Sequence, residues 1–198
     1  TSVYKTYIDT LLKDNKAYMC FASKEELEDV RNESNSFHYP GIWRDRDLGD
    51  INNEIKKGSP FTVRLKTPKE GKTSFQDLIY GNISVENNEI DDFIIVRSDG
   101  SPVYNLTNVV DDSSMEITHV IRGEDHVSNT PKQILIYQAL GFKVPIFAHL
   151  PMILGEDKKR LSKRHGAAGV NEYESMGYQP DALLNYLALL GWNPGTEE

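Results

Sequence analysis

Apolar residues recur at helical spacing at the start of the chain, at Tyr4, Tyr7, Ile8 and Leu11, and predict an amphipathic helix. Tyr18 to Phe21 is a short apolar run that predicts a strand. Ser23 followed three residues later by Glu26 is a capping-box pair and predicts the start of a second helix. From Arg31 to Asp50 the periodicity is lost, Pro40 and Gly41 interrupt the chain, and the stretch reads as loop. Phe61 to Lys66 alternates strictly between apolar and polar residues, as a half-buried strand does. Further strands are predicted at Leu78 to Val85 and at Phe93 to Val96.

The second half has a different rhythm. Glu116 to Ile121 predicts a strand. Thr130-Pro131-Lys132-Gln133 combines a capping box with proline at the first helical position, and the helix it opens should stop at Gly141. Pro180 to Leu190 predicts another helix, with Leu183, Leu184, Leu187 and Leu190 on one face and Gly191 as its stop. Strands alternating with helices point to an α/β layer here, and the first half reads as a smaller α+β unit. The change falls near Gly100 to Tyr104, and neither repeats nor low-complexity segments interrupt the pattern.

Composition narrows the class. The 198 residues suit one or two domains, and 38% apolar with 26% charged residues is the balance of a folded globular chain. No apolar run approaches the roughly 18 to 20 residues of a membrane span, and no basic-then-apolar signal segment opens the chain. The net charge of −8 and pI near 5.2 exclude a generic nucleic-acid coat protein but leave room for a local basic site. The single cysteine, Cys20, rules out an internal disulfide and fits a reducing compartment. The chain starts at Thr1 rather than at methionine, as processing, tag removal or a fragment would explain.

Two segments carry candidate chemistry. Lys158 to His165 holds five formal positive charges in eight residues, between Gly155-Glu156-Asp157 and Gly166. Read from composition, it is a solvated charge run or a mobile clamp on a polyphosphate, whose cations would stabilise charge on a departing group. The other segment runs from Tyr104-Asn105-Leu106-Thr107-Asn108 to Val120-Ile121-Arg122-Gly123-Glu124-Asp125-His126. Taken singly, Tyr104 is a core-edge aromatic and Arg122 a salt-bridge partner of Glu124 or Asp125. No second histidine stands at ligand spacing from His126, which argues against a metal there.

Taken together, these strings resemble class I aminoacyl-tRNA synthetases of the glutamyl branch. Arg160-Leu161-Ser162-Lys163-Arg164 resembles the second class signature, usually written KMSKS, and His165-Gly166-Ala167 follows as in that branch. Arg160 stands at the first lysine position of the motif and Lys163 at the second. The string from Tyr104 to His126 resembles the lining of the amino-acid pocket. Ser128 to Leu135 and His149 to Leu154 continue the match.

The resemblance implies a glutamate–tRNA ligase activity that uses ATP with Mg2+, and tRNA(Glu), glutamate and ATP as partners. The expected protein is monomeric, has no membrane association, and works in the cytoplasm or an organellar matrix. Lys163 and Arg160 would be catalytic. Tyr104, Asn108 and Arg122 would bind glutamate, the arginine through two parallel hydrogen bonds. Asp125, Met152, Ile153, Arg160, Ser162 and Lys163 would bind ATP. The implied fold is α/β: the second half of a Rossmann-type catalytic domain with an α+β connective insertion that binds the acceptor end. Residues 1–103 would form the insertion, 104–165 the returning half-domain with the basic loop, and 166–198 the start of the stem-contact region.

Two departures from the family pattern shape the expectation. The first class signature, usually written HIGH, and the anticodon-binding helices are not in the sequence, so this stretch is expected to be an interior piece that does not aminoacylate alone. Some family members hold a structural zinc through three cysteines and a histidine. Here Cys20 stands alone, with Ala22, Trp43 and Asp45 near the other positions, and no zinc is expected. The rival readings are a glutamyl transferase acting on a modified tRNA base and a non-catalytic module that binds tRNA or protein.

Overall fold

The computed structural model describes residues 2–34, 39–154 and 169–190. In order along the chain the elements are α1 (Ser2–Lys13), β1 (Ala17–Cys20), α2 (Lys24–Ser34), α3 (Leu48–Lys57), β2 (Thr62–Leu65), β3 (Lys72–Asp77), β4 (Gly81–Glu86), β5 (Ile94–Val96), α4 (Tyr104–Ser114), β6 (His119–Gly123), α5 (Thr130–Leu140), β7 (Ile146–Leu150), α6 (Val170–Ser175) and α7 (Pro180–Leu189). The capping box at the head of α2 forms as the sequence predicts. Glu26 N–H donates to Ser23 Oγ at 3.1 Å, and Ser23 N–H donates to the Glu26 carboxylate at 2.8 Å.

Three expectations are corrected. The stretch from Arg31 to Asp50 is not all loop, because α2 continues to Ser34 and α3 starts at Leu48. Asp47 caps α3 by accepting from Asp50 N–H at 2.9 Å, and Gly58 ends it at φ +71°, a left-handed conformation suited to glycine. Leu78 to Val85 is not one strand. Asp77 Oδ1 accepts the N–H groups of Ile79 and Tyr80 at 2.9 and 3.0 Å, and this side-chain turn reverses the chain between β3 and β4. The strand expected from Glu116 starts instead at His119, after the backbone turns through Glu116 at φ +56°.

One sheet is antiparallel and has the order β1-β2-β5. The other has the order β4-β3-β7-β6, in which β3 and β4 are antiparallel while β3, β7 and β6 run parallel. The main core gathers Leu11 of α1, Val63 and Leu65 of β2, Ile95 of β5, Leu106, Val109 and Val110 of α4, and Leu135, Ile136 and Tyr137 of α5. A smaller cluster, Phe75, Ile134 and Phe147, lies between the parallel sheet and α5. Core and parallel sheet both run across the boundary expected at residue 103.

The antiparallel sheet is tied by one carboxylate. Asp92, fully buried, accepts from Arg44 Nη1 at 2.5 and 2.6 Å, from Thr67 N–H and Oγ1–H at 3.0 and 2.7 Å, from Tyr18 Oη–H at 3.0 Å and from Lys69 at 3.1 Å. Burial opposes its ionisation, but the donors from Arg44, Thr67 and Lys69 outweigh that and hold its pKa below the ordinary aspartate value. The knot fastens the turn around Trp43 to the strands.

Candidate functional site

The parallel strands β3, β7 and β6 end side by side, and the carboxyl end of such a sheet is where α/β proteins bind ligands. Arg122 and His149 are cross-strand partners at this end, and Asp77 closes β3 beside them. Arg122 Nε–H donates to His149 Nε2 at 3.1 Å, and Nη2 donates to Thr130 Oγ1 and Gln133 Oε1, both at 2.8 Å. The guanidinium lies 5.7 Å above the Phe147 ring. Among the described residues its Nη1 is buried and has no hydrogen-bond partner.

Helix α4 supplies the wall opposite. Tyr104, Asn108 and Asp112 are spaced four apart and share one face, while Leu106, Val109 and Val110 pack into the core on the other. Burial lowers the Arg122 pKa from its ordinary value, while Tyr104 and Asp112 beside it favour the charged form. Asp112 is itself pushed up, chiefly by burial, against the pull of Arg122 and the hydrogen bonds from Asn108 and Tyr137. The structure thus brings Tyr104, Asn108 and Arg122 to one place. The Tyr104 ring also meets His126, with centroids 5.9 Å apart.

Thr130 and Gln133 do not form the capping box that their spacing suggests. Asn129 holds the N-cap position of α5 without a side-chain cap, and Pro131 lies in the first turn. The Thr130 hydroxyl and the Gln133 amide oxygen both turn to Arg122, and Gln133 Nε2 donates to Asn105 Oδ1 at 3.2 Å. Gly141 does stop the helix, at φ +69°. With Nε and Nη2 engaged, Nη1 is the one guanidinium nitrogen without a hydrogen-bond partner among the described residues.

Asp77 and His149 received no role from the sequence. Both are buried, and His149 Nδ1 lies 2.6 Å from Asp77 Oδ2. Burial alone would raise the Asp77 pKa. The N–H groups of Tyr80, Ile79 and His149 and the His149 ring overcome this and hold it down to about 2.

Of the residues expected to contact ATP, Asp125, Met152 and Ile153 lie along the same rim. Asp125 is exposed, and its carboxylate folds back over Gly123, where a Cβ would come within 2.6 Å of Oδ1. Met152 N–H donates to one Glu124 carboxylate oxygen at 3.0 Å, while Tyr80 Oη–H donates to the other. Ile153 is exposed beside it. Arg160, Ser162 and Lys163 lie outside the described residues, as does the rest of the basic loop. The zinc positions do not suit a zinc ion. Cys20 Sγ pairs with Tyr39 Oη at 3.1 Å, Ala22 has no donor, Trp43 packs on Phe21 at 5.0 Å, and Asp45 pairs with Lys66 at 3.4 Å.

Comparison with known proteins decides the family. The family model described as class I tRNA synthetases (E and Q), catalytic domain, matches residues 1–198. The chain belongs to this family. The synthetase chain is 53% identical to the glutamate–tRNA ligase of Aquifex aeolicus over 98% of its own length and 42% of that relative. It is 54% identical to that of Geotalea uraniireducens, over 99% and 42%. A solved glutamate tRNA ligase from Elizabethkingia meningosepticum, in complex with its amino acid, superposes with a TM-score of 0.83 at 32% identity, covering 100% of this chain and 45% of that one. The synthetase chain therefore spans less than half the length of these relatives. No helix among the described residues is long and apolar enough to cross a membrane.

Proposed function

We propose that the protein carrying this chain is a glutamate–tRNA ligase, and that Arg122 reads the side-chain carboxylate of glutamate. The observation that carries this reading is the buried guanidinium whose Nη1 has no partner among the described residues, with Tyr104 beside it and Asn108 one turn further along the same helix face. Glutamine would place a neutral amide against a buried cation, and sites built around a polar partner discriminate strongly against analogues that leave it unpaired. The relatives' names favour this reading over a transferase acting on a modified base.

In the proposed reaction an oxygen of glutamate's α-carboxylate attacks the α-phosphorus of ATP, and the bond to pyrophosphate breaks. A terminal ribose hydroxyl of tRNA(Glu) then attacks the acyl carbon and AMP leaves. Magnesium accompanies ATP as part of the substrate. Lys163 and Arg160 would neutralise the departing pyrophosphate. Asp125 would hold ATP, as would Ser162 and the backbone at Met152 and Ile153. Glu124 stands on the Met152 N–H, so adenine would either displace it or use the other backbone groups there. In that enzyme residues 1–103 would form the acceptor-end insertion, 104–165 the returning half-domain with the basic loop, and 166–198 the start of the stem-contact region. The enzyme is proposed to act as a monomer, and the buried, free Cys20 fits a reducing compartment.

The test is aminoacylation of tRNA(Glu) by the full-length protein with labelled glutamate. Attachment that is lost when the tRNA 3′ terminus is oxidised with periodate supports the proposal. Attachment that survives this treatment points to a base and overturns it.

A further inference from the structure

The guanidinium of Arg122 can only donate hydrogen bonds. Its Nε–H faces His149 Nε2 at 3.1 Å, so that ring nitrogen must carry a lone pair. The ring proton then sits on Nδ1, 2.6 Å from Asp77 Oδ2, which accepts it. Thr130 agrees with this assignment: its hydroxyl accepts from Arg122 Nη2 at 2.8 Å and has its own hydrogen free for His149 Nε2 at 3.1 Å or the His126 carbonyl at 3.3 Å. Asp77 cannot turn away, because Oδ1 is held by the N–H groups of Ile79, Tyr80 and His149 at 2.9, 3.0 and 3.3 Å. Asp77, His149 and Arg122 thus form a line across the ends of three adjacent parallel strands.

We propose that Asp77 is a positioning residue for substrate binding: by fixing the Nδ1-protonated tautomer of His149 it makes Nε2 the acceptor that orients Arg122 and leaves Nη1 to pair with the carboxylate. The hydrogen bond at one ring nitrogen sets the role of the other. This rests on the reading of Arg122 given above. A buried carboxylate–imidazole pair is a costly way to join two strands, since apolar residues of similar volume hold a core as well or better. What such residues cannot supply is an acceptor aimed at an arginine Nε–H.

Asp77→Asn keeps the shape but offers an amide N–H to His149 Nδ1. That forces the other tautomer and sets Nε2–H against the Arg122 Nε–H. In glutamate-dependent ATP–pyrophosphate exchange by the full-length protein, D77N is expected to raise the KM for glutamate by about tenfold or more, through the buried donor left unpaired. The KM for ATP should stay within about twofold, which a general loss of structure would not spare. His149→Gln offers an amide oxygen to Arg122 and has no tautomer to set, so adding D77N to H149Q should raise the glutamate KM no further.

A D77N protein whose glutamate KM is unchanged, or whose two KM values rise together, overturns the proposal. So does a D77N effect of full size in the H149Q background. Should D77N fail to fold, ¹⁵N spectra of histidine-labelled wild-type protein, with His149 assigned by its loss in H149Q, give the tautomer directly. A protonated Nε2 overturns the proposal, and a protonated Nδ1 supports it. A wild-type protein with the expected tautomer but no glutamate-dependent exchange would refute the reading of the pocket, and with it the positioning role.

Discussion

Arg122 is set apart from an ordinary strand-end arginine by how many of its N–H groups are already engaged. Nε and Nη2 are taken by His149, Thr130 and Gln133, and Nη1 is buried without a partner among the described residues. A lysine at this position would keep a charge but none of that orientation. Arg122→Lys is therefore expected to raise the KM for glutamate by about a hundredfold, the scale of losing a buried charge-assisted hydrogen bond, in pyrophosphate exchange. An unchanged KM would remove Arg122 from the site. At this scale the sequence was partly legible. Tyr104, Asn108 and Arg122 could be picked out because their surrounding strings carry a family resemblance. Thr130 and Gln133 have the spacing of a capping box, but spacing reports a local pattern and cannot show that both side chains turn from α5 to an arginine on β6. Asp77 and His149 are 72 residues apart and meet only through strand pairing, which no local signal announces.

Among the elements, α3 was the clearest omission, although its signals were present: Asp47 before it, Ile51 and Ile55 one turn apart, and Gly58 after it. The polar composition around Pro40 and Gly41 masked them. The turn it follows is fastened by Asp92, and Asp92→Ala would leave Arg44 without its buried partner. This substitution should cost about 3–5 kcal/mol, read as a lower urea midpoint. A loss below about 1 kcal/mol would show that the knot is incidental to stability. Asp77 adds a pH dependence of definite sign. Its folded-state pKa of about 2 lies below the ordinary 3.8, so its contribution is fully present above 3.8 and is lost as pH falls through about 2. The loss should be roughly 2 kcal/mol, in the same direction as that from Asp92. Urea titrations across this range check it, and an acid loss of equal size in D77N would assign it elsewhere.

At the scale of the molecule, the α/β class was legible because strand and helix periodicities alternate in the second half. The way the halves join was not. The hairpin of β3 and β4 precedes residue 103, yet it extends the sheet of β7 and β6, and α1 packs on the helices that follow. Composition cannot reveal a sheet assembled from distant segments. Apolar residues of α7 show the same limit: Leu183, Leu184 and Leu187 match a buried helical face, but Leu184 is 68% exposed among the described residues. The region where the family resemblance would put a zinc is closed here by Cys20 with Tyr39 and by Arg44 with Asp92. Purified protein should accordingly contain well under one zinc per chain by elemental analysis, and chelation should leave its melting temperature unchanged. One tightly held zinc per chain would contradict this.

The site at the ends of β3, β7 and β6 is proposed to select a carboxylate-bearing amino acid for activation. This selection is tested most directly by comparing glutamate with glutamine in ATP–pyrophosphate exchange by the full-length protein. Glutamate should support exchange with a kcat/KM at least about a hundredfold above that of glutamine. Equal exchange with both amino acids, or exchange with neither, would contradict it.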